Sequence, residues 1–203
     1  MSRRILALVA VLAIALAILT GLAVRRGVLG PAPQTVAVGG PFQLIDTSGR
    51  TVSQDVLKGK WSVVFFGFTH CPDICPTTLF EMGQVEPLLG PDAAKVQTVF
   101  VTVDPARDTV AQMKAYVANP AFPKRLVGLT GSQAQVDATA KAYRVFHQKV
   151  GEGADYQVNH AAYSYLMNPR GRFACVLPYE LTPEQTVAKI RAAMRNGDDA
   201  ASC

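Results

Sequence analysis

The residues best suited to chemistry are two cysteines, Cys71 and Cys75, in the stretch THCPDICP. Three intervening residues allow the two thiols to form a disulfide, and they also allow two thiolates to converge on one metal ion. Pro76 disfavours helical geometry at Cys75 and suits the first turn of a helix, so we expect Cys75 at a helix N-terminus. There the helix dipole favours a thiolate, the form that acts as nucleophile and as metal ligand.

Two thiolates alone do not complete a metal site, so the three histidines of the chain are the candidates for a third ligand. His70 adjoins Cys71 and is expected to point to the opposite side of the turn. His147 alternates with apolar neighbours, which is typical of a strand surface. His160 is expected in the loop before a hairpin, and in thioredoxin-type topology that loop faces the cysteine turn.

A set of two cysteines and one histidine is soft and low in coordination number. It suits three-coordinate Cu(I), or Cu(II) with a weak fourth ligand, whereas structural zinc needs four strong ligands. A plain dithiol redox site needs no third ligand at all. From the residues alone, metal binding and dithiol redox chemistry remain equally open.

The elements around the cysteine motif position it at a sheet edge. Residues 61–68 form a continuous apolar run, as in a strand buried on both faces, and a helix is predicted over residues 77–89. A turn from strand to helix lies at the carboxyl edge of the sheet, where open α/β folds place their sites.

The alternation of strand and helix continues along the chain and then gives way to a hairpin. We predict a first hairpin around residues 46–49, strands over 96–103 and 126–129, helices over 109–117 and 133–143, a second hairpin over 163–177 and a last helix over 182–195. Capping boxes, Thr109 with Gln112 and Ser132 with Gln135, mark two helix starts. This order predicts an α/β fold, a thioredoxin-like sandwich in a single domain.

The N-terminal segment predicts a membrane anchor. Residues 5–24 are apolar except for Thr20 and Gly21, and a helix of this length spans a bilayer. A signal peptide has an apolar core of only about 7 to 15 residues, so a retained anchor is favoured over a cleaved signal. Flanking arginines and the free amino group favour a cytoplasmic N-terminus. Because no Arg- and Ser-rich transit peptide precedes the helix, we expect a single-pass protein of the bacterial inner membrane with its domain in the periplasm.

The expected organisation follows from these boundaries. It comprises a cytoplasmic N-terminus over residues 1–4, an anchor over 5–24, a linker over 25–40, the folded domain over 41–197 and a flexible C-terminus over 198–203. Four of the 20 basic residues are arginines that flank the anchor, which leaves 16 basic against 15 acidic residues elsewhere. This balance argues against nucleic acid as a partner.

The remaining two cysteines are expected to have no part in the chemistry. Cys175 lies in the apolar stretch 173–177 and suits a buried small apolar residue. Cys203 follows a polar stretch and is expected to be a mobile free thiol, with pairing between molecules open in an oxidising compartment.

Three segments of the chain together resemble the SCO/SenC family. They are residues 65–79 around the cysteines, residues 103–109 (VDPARDT), and Asn159-His160 followed by residues 165–171 (YLMNPRG). The resemblance runs from about residue 40 to residue 195. It implies a membrane-anchored, thioredoxin-fold copper protein that serves cytochrome c oxidase assembly.

The resemblance also implies roles for individual residues. Cys71, Cys75 and His160 would bind one copper ion per chain, received from an upstream periplasmic donor. The protein would deliver copper to the CuA site of cytochrome c oxidase subunit II, reduce the cysteines of that site, or both. Many family members carry Asp where this chain has Asn159, so one negative charge beside the histidine is missing.

A second family motif contains Asp104, Arg107 and Asp108. A strand end and a helix cap explain these residues more simply than a direct part in chemistry.

Two alternatives remain open. A thiol-disulfide oxidoreductase would use Cys71 as the attacking and Cys75 as the resolving sulfur. Oxidoreductases of this fold usually carry a proline before the hairpin, whereas residues 155–166 contain none and offer His160. A copper- or redox-sensing module is the other alternative, because two thiols that oxidise to a disulfide release copper.

Overall fold

The computed structural model describes residues 2–25, 38–153, 155–197 and 203. The chain divides into two compact units, Met1–Val36 and Ala37–Cys203. Most of the predicted linker and residues 198–202 of the predicted flexible C-terminus lie outside the described residues.

The first unit contains helix α1 (Arg3–Arg25). Its segment Arg3–Leu22 is long and apolar enough to cross a membrane, and none of it is buried within the protein. This helix matches the predicted anchor over residues 5–24 as a candidate membrane span.

The second unit is a mixed α/β structure. Its strands are β1 (Gln43–Asp46), β2 (Thr51–Ser53), β3 (Trp61–Gly67), β4 (Val96–Thr102), β5 (Leu126–Thr130), β6 (His147–Val150), β7 (Gln157–His160), β8 (Ser164–Met167) and β9 (Phe173–Leu177). Its helices are α2 (Ile74–Leu89), α3 (Val110–Val117), α4 (Gln133–Ala142) and α5 (Pro183–Asn196), with 3-10 turns over Gln54–Leu57 and Gly90–Lys95.

The described strands form one seven-stranded sheet in the order β2-β1-β5-β4-β3-β8-β9 and a separate pair, β6-β7. Strands β3, β4 and β5 are parallel, and the other pairings are antiparallel. Every residue of β3 is buried, as the predicted continuous apolar run requires, and every residue of β4 is buried as well. The buried apolar residues form two clusters, a larger one around Phe65 and Phe100 and a smaller one around Trp61, Leu166 and Ile190.

Side-chain caps explain where several helices begin. The capping box of Ser132 and Gln135 is formed as predicted, and Thr182 with Gln185 forms another at α5. At α3 the prediction was half right, because the Thr109 side chain accepts from the backbone of Gln112 but the Gln112 amide donates to Thr69 Oγ1 instead of closing the box.

Three predictions about individual cysteines and histidines are wrong. Cys203 is not a free thiol, and Cys175 is not simply a buried apolar residue: the two form a disulfide with a Cα–Cα distance of 6.0 Å. Both pack against the smaller apolar cluster, so Cys203 lies beside β9. His160 lies not in a loop but at the end of β7, where it pairs across the strand with His147.

Candidate metal centre

Cys71, Cys75 and His160 converge on one point. One ligand atom from each lies within 4.8 Å of the other two. The Cys75 sulfur is 3.6 Å from His160 Nε2, and the Cys75 backbone N–H donates to the Cys71 sulfur at 3.5 Å. The fold therefore brings together the three residues expected from the sequence, although Cys75 and His160 are 85 residues apart along the chain.

The turn between β3 and α2 positions the two sulfurs differently. Cys71 precedes the helix and is half-buried, whereas Cys75 lies in the first helical turn and is fully buried. Helix α2 starts three residues earlier than predicted, so Cys75 lies within the helix. Gly67 at the end of β3 makes room for it, because a Cβ there would lie 2.7 Å from the Cys75 sulfur and 2.8 Å from the Phe100 ring.

His160 reaches the site from the end of β7, and a hydrogen bond to the backbone of the next residue orients its ring. Its Nδ1 lies 2.9 Å from the Ala161 carbonyl oxygen, which accepts a hydrogen bond only when Nδ1 carries the proton. In the neutral ring this leaves the Nε2 lone pair for a metal. The rings of Phe65 and Phe68 meet the imidazole edge-on, with centroids at 6.3 and 5.8 Å.

The two thiols have opposite acidities. The pKa of Cys71 falls to about 3, mainly because the Cys75 thiol donates a hydrogen bond to its thiolate, with His160 and then backbone N–H groups adding to the effect. The pKa of Cys75 is raised, because that thiol is held as a donor to Cys71 and is buried. Near neutral pH the pair thus holds one thiolate and one thiol.

The other two histidines lie outside the trio. His70 contacts Thr69 Oγ1 at 3.1 Å and lies 3.7 Å from an Asp108 oxygen. His147 lies on β6, as its sequence pattern predicted, with its Nε2 3.3 Å from Asp137.

Sequence reasoning missed the extent to which the loop after β4 supports the site. The Asp108 carboxylate is fully buried and accepts from Thr69 N at 3.0 Å, Thr69 Oγ1 at 2.7 Å and Thr102 Oγ1 at 2.6 Å. Burial raises the pKa of Asp108 despite these bonds. Asp104 accepts from the Tyr156 hydroxyl at 2.6 Å. The only signal for these contacts was the clustering of carboxylates and an arginine in VDPARDT.

The arrangement defines a class of protein. A mixed sheet with a Cys-x-x-x-Cys turn at a helix N-terminus and a facing histidine defines a thioredoxin-like protein in which three soft ligand atoms lie close enough to hold one metal ion. The SCO1/SenC family model matches residues 30–195, and this chain belongs to the SCO1/SenC family.

Relatives of known sequence support this membership. The chain is 42% identical over 146 residues to Protein SCO1 homolog 1, mitochondrial, of Arabidopsis thaliana, covering 71% of this chain and 43% of that protein. It is 38% identical over 161 residues to Protein SCO2, mitochondrial, of Saccharomyces cerevisiae, covering 77% of this chain and 53% of that protein. The chain thus spans about half the length of these two relatives.

Solved structures confirm the thioredoxin-like fold. Bradyrhizobium japonicum ScoI with copper bound is 44% identical, with a TM-score of 0.70 over 78% of this chain and 99% of that one. Arabidopsis thaliana ScoI with copper bound is 37% identical, with a TM-score of 0.75 over 79% of this chain and 100% of that one.

Proposed function

We propose that this protein binds one copper ion through Cys71, Cys75 and His160. The convergence of the three ligand atoms within 4.8 Å carries the proposal. Two soft sulfurs and one imidazole match Cu(I), and the two related ScoI structures described above hold copper.

Copper binding at this site releases a single proton. Cys71 is already a thiolate, so binding of copper by both sulfurs displaces one proton, that of Cys75. We further propose that the copper comes from an upstream periplasmic donor and is the cargo, delivered to the CuA site of cytochrome c oxidase subunit II. Membership of the SCO1/SenC family supports this destination.

Helix α1 is proposed to anchor the protein in the bacterial inner membrane, with residues 1–4 in the cytoplasm and the domain over residues 41–197 in the periplasm. The exposed apolar segment Arg3–Leu22 supports the anchor. The disulfide between Cys175 and Cys203 supports an oxidising compartment for the domain. N-terminal sequencing of the membrane fraction tests the anchor, since a chain that starts near Val24 would mean a cleaved signal.

Anaerobic Cu(I) titration of the reduced full-length chain against a competing chelator tests copper binding. We expect one tightly held copper per chain, with affinity lowered at least about tenfold by His160→Ala. His147→Ala is the matched control, because His147 lies across the strand from His160 but outside the trio. Affinity that survives His160→Ala, or falls equally in His147→Ala, contradicts the ligand assignment.

Reduction of disulfides is the second candidate function, carried by the Cys71 thiolate beside the Cys75 thiol. In that reaction Cys71 attacks a partner disulfide, and Cys75 then displaces the partner thiol, leaving Cys71 and Cys75 joined. No competitive copper binding, together with rapid cycling of a Cys71–Cys75 disulfide, would favour this function.

A further inference from the structure

The two halves of the copper site have no secondary-structure element in common. The cysteines follow β3 in the main sheet, whereas His160 ends β7, which pairs only with β6 among the described strands. A two-stranded hairpin is at best marginally stable by itself. Other contacts must therefore hold His160 at a set distance from the sulfurs.

One contact holds the cysteine half. The buried Asp108 carboxylate accepts both the backbone N–H and the hydroxyl of Thr69, two residues before Cys71. The Asp108 carbonyl in turn accepts from Thr130 Oγ1 at 2.6 Å, which ties the loop to β5. Val103 N donates to the Gly67 carbonyl at 2.8 Å, so the same loop is also hydrogen-bonded to the end of β3.

A second contact holds the histidine half. Tyr156 is buried, lies four residues before His160 and donates its hydroxyl to Asp104. The Arg107 guanidinium lies 3.7 Å and the Lys149 ammonium 3.8 Å from the centroid of the Tyr156 ring. The Arg107 cation–π contact and a charge-assisted hydrogen bond thus join the start of β7 to the loop after β4, while Lys149 binds the same ring from β6.

We infer that residues 103–109 act as a bracket that sets the separation of the two halves of the site, with Asp108 positioning the Cys71 turn and Tyr156, through Asp104, positioning His160. The inference rests on the proposed copper function. It makes Asp108 and Tyr156 positioning residues, which contact no copper themselves.

The histidine arm is tested with Tyr156→Phe, which removes the hydroxyl and keeps the ring between the two cations. We expect the Cu(I) affinity of the full-length chain to fall about tenfold. In a His160→Ala background the same change should alter affinity by less than about twofold, because its effect passes through His160. Tyr143→Phe is the matched control, since Tyr143 is a buried tyrosine that packs on Phe42, Phe66 and Tyr165.

The cysteine arm is tested with Thr69→Val and Thr69→Ser. The valine variant removes the hydroxyl donor to Asp108 at nearly constant shape, and the serine variant restores it. We expect the Cu(II)–thiolate absorption band to shift in Thr69→Val and to return in Thr69→Ser. This effect should persist in the His160→Ala background, unlike that of Tyr156→Phe.

A readout without copper separates the bracket from the copper function. By ¹⁵N relaxation of the copper-free protein, we expect lower order parameters over residues 157–160 in Tyr156→Phe than in wild type or Tyr143→Phe. If Tyr156→Phe changes neither the order parameters over residues 157–160 nor the Cu(I) affinity, the bracket is overturned. It is also overturned if Tyr156→Phe lowers the affinity equally in the His160→Ala background. If wild type binds no copper, the proposed function fails, and the order of β7 alone then decides the bracket.

Discussion

At the residue scale, the unequal thiols of the cysteine pair are the most consequential feature. The pKa of Cys71 is about 3, mainly because Cys75 donates a hydrogen bond to its thiolate. The nucleophilic reactivity of Cys71 therefore depends on its neighbour and hardly on pH near neutrality. Below its pKa, an ordinary cysteine loses reactivity about tenfold for each pH unit, as the thiolate fraction falls.

Alkylation of the reduced, copper-free protein measures this difference. We expect the rate of alkylation at Cys71 to stay nearly constant between about pH 5 and pH 8. Peptide mass spectrometry measures this rate. In Cys75→Ala the main donor is lost, so the pKa of Cys71 should rise towards the ordinary value and the rate should increase with pH. A wild-type rate that climbs steeply over this range would contradict the assigned acidities.

Gly67 provides a second prediction at this scale. A methyl group at this position would lie 2.7 Å from the Cys75 sulfur and 2.8 Å from Phe100, and both are buried. We expect Gly67→Ala to lower the free energy of unfolding by about 1–3 kcal/mol and to weaken copper binding. Denaturant titration measures the first effect. Gly40→Ala is the control, since the nearest atom to its added Cβ, that of Ala142, lies at an ordinary 3.5 Å.

Cys71, Cys75 and His160, which the structure brings together, could be picked out as candidates from the sequence because each is marked by its residue type and its place beside a predicted strand. It did not indicate the contacts of Asp108 and Tyr156, which join segments distant along the chain. The spacing of Cys175 and Cys203 likewise carried no signal of its own, although an even number of cysteines in an exported domain is consistent with a disulfide.

At the element scale, the strands that could be predicted from the sequence are the buried ones. Strands β3 and β4 are fully buried and were predicted nearly residue for residue, and for β3 the reason is that burial on both faces favours a continuous apolar run. Strand β7 escaped prediction, since QVNH is polar and only Val158 is buried. Its pairing with β6, and not its composition, makes it a strand.

Helix α5 supports the helix that carries Cys75. Ile190 is completely buried in the smaller cluster, and Arg191 donates to the carbonyls of Leu88 and Leu89 at the end of α2. Ile190→Ala should reduce the free energy of unfolding by about 2–5 kcal/mol, measured by chemical denaturation. Arg195→Ala, on the exposed face of the same helix, should change it by less than about 0.5 kcal/mol. Equal losses would argue against this packing role.

At the scale of the whole molecule, the disulfide between Cys175 and Cys203 closes a segment of 28 residues that contains α5. A loop of this size stabilises the native state by about 3 kcal/mol, mainly by restricting the unfolded chain. We therefore expect Cys203→Ser to lower Tm by roughly 5–10 °C without loss of copper. Thiol titration of the unreduced, unfolded wild type should find two free thiols, and a count of four would show that the disulfide does not form.

The proposed anchoring of the domain by the apolar helix α1 has a consequence for its encounter with the proposed oxidase partner. A domain tethered to the membrane that also holds its partner searches a plane instead of a volume. Confinement of both proteins to one plane raises the effective concentration of the partner above its value in free solution. Under the proposed delivery of copper, the contact between them can then be small and short-lived, which favours release of the empty carrier.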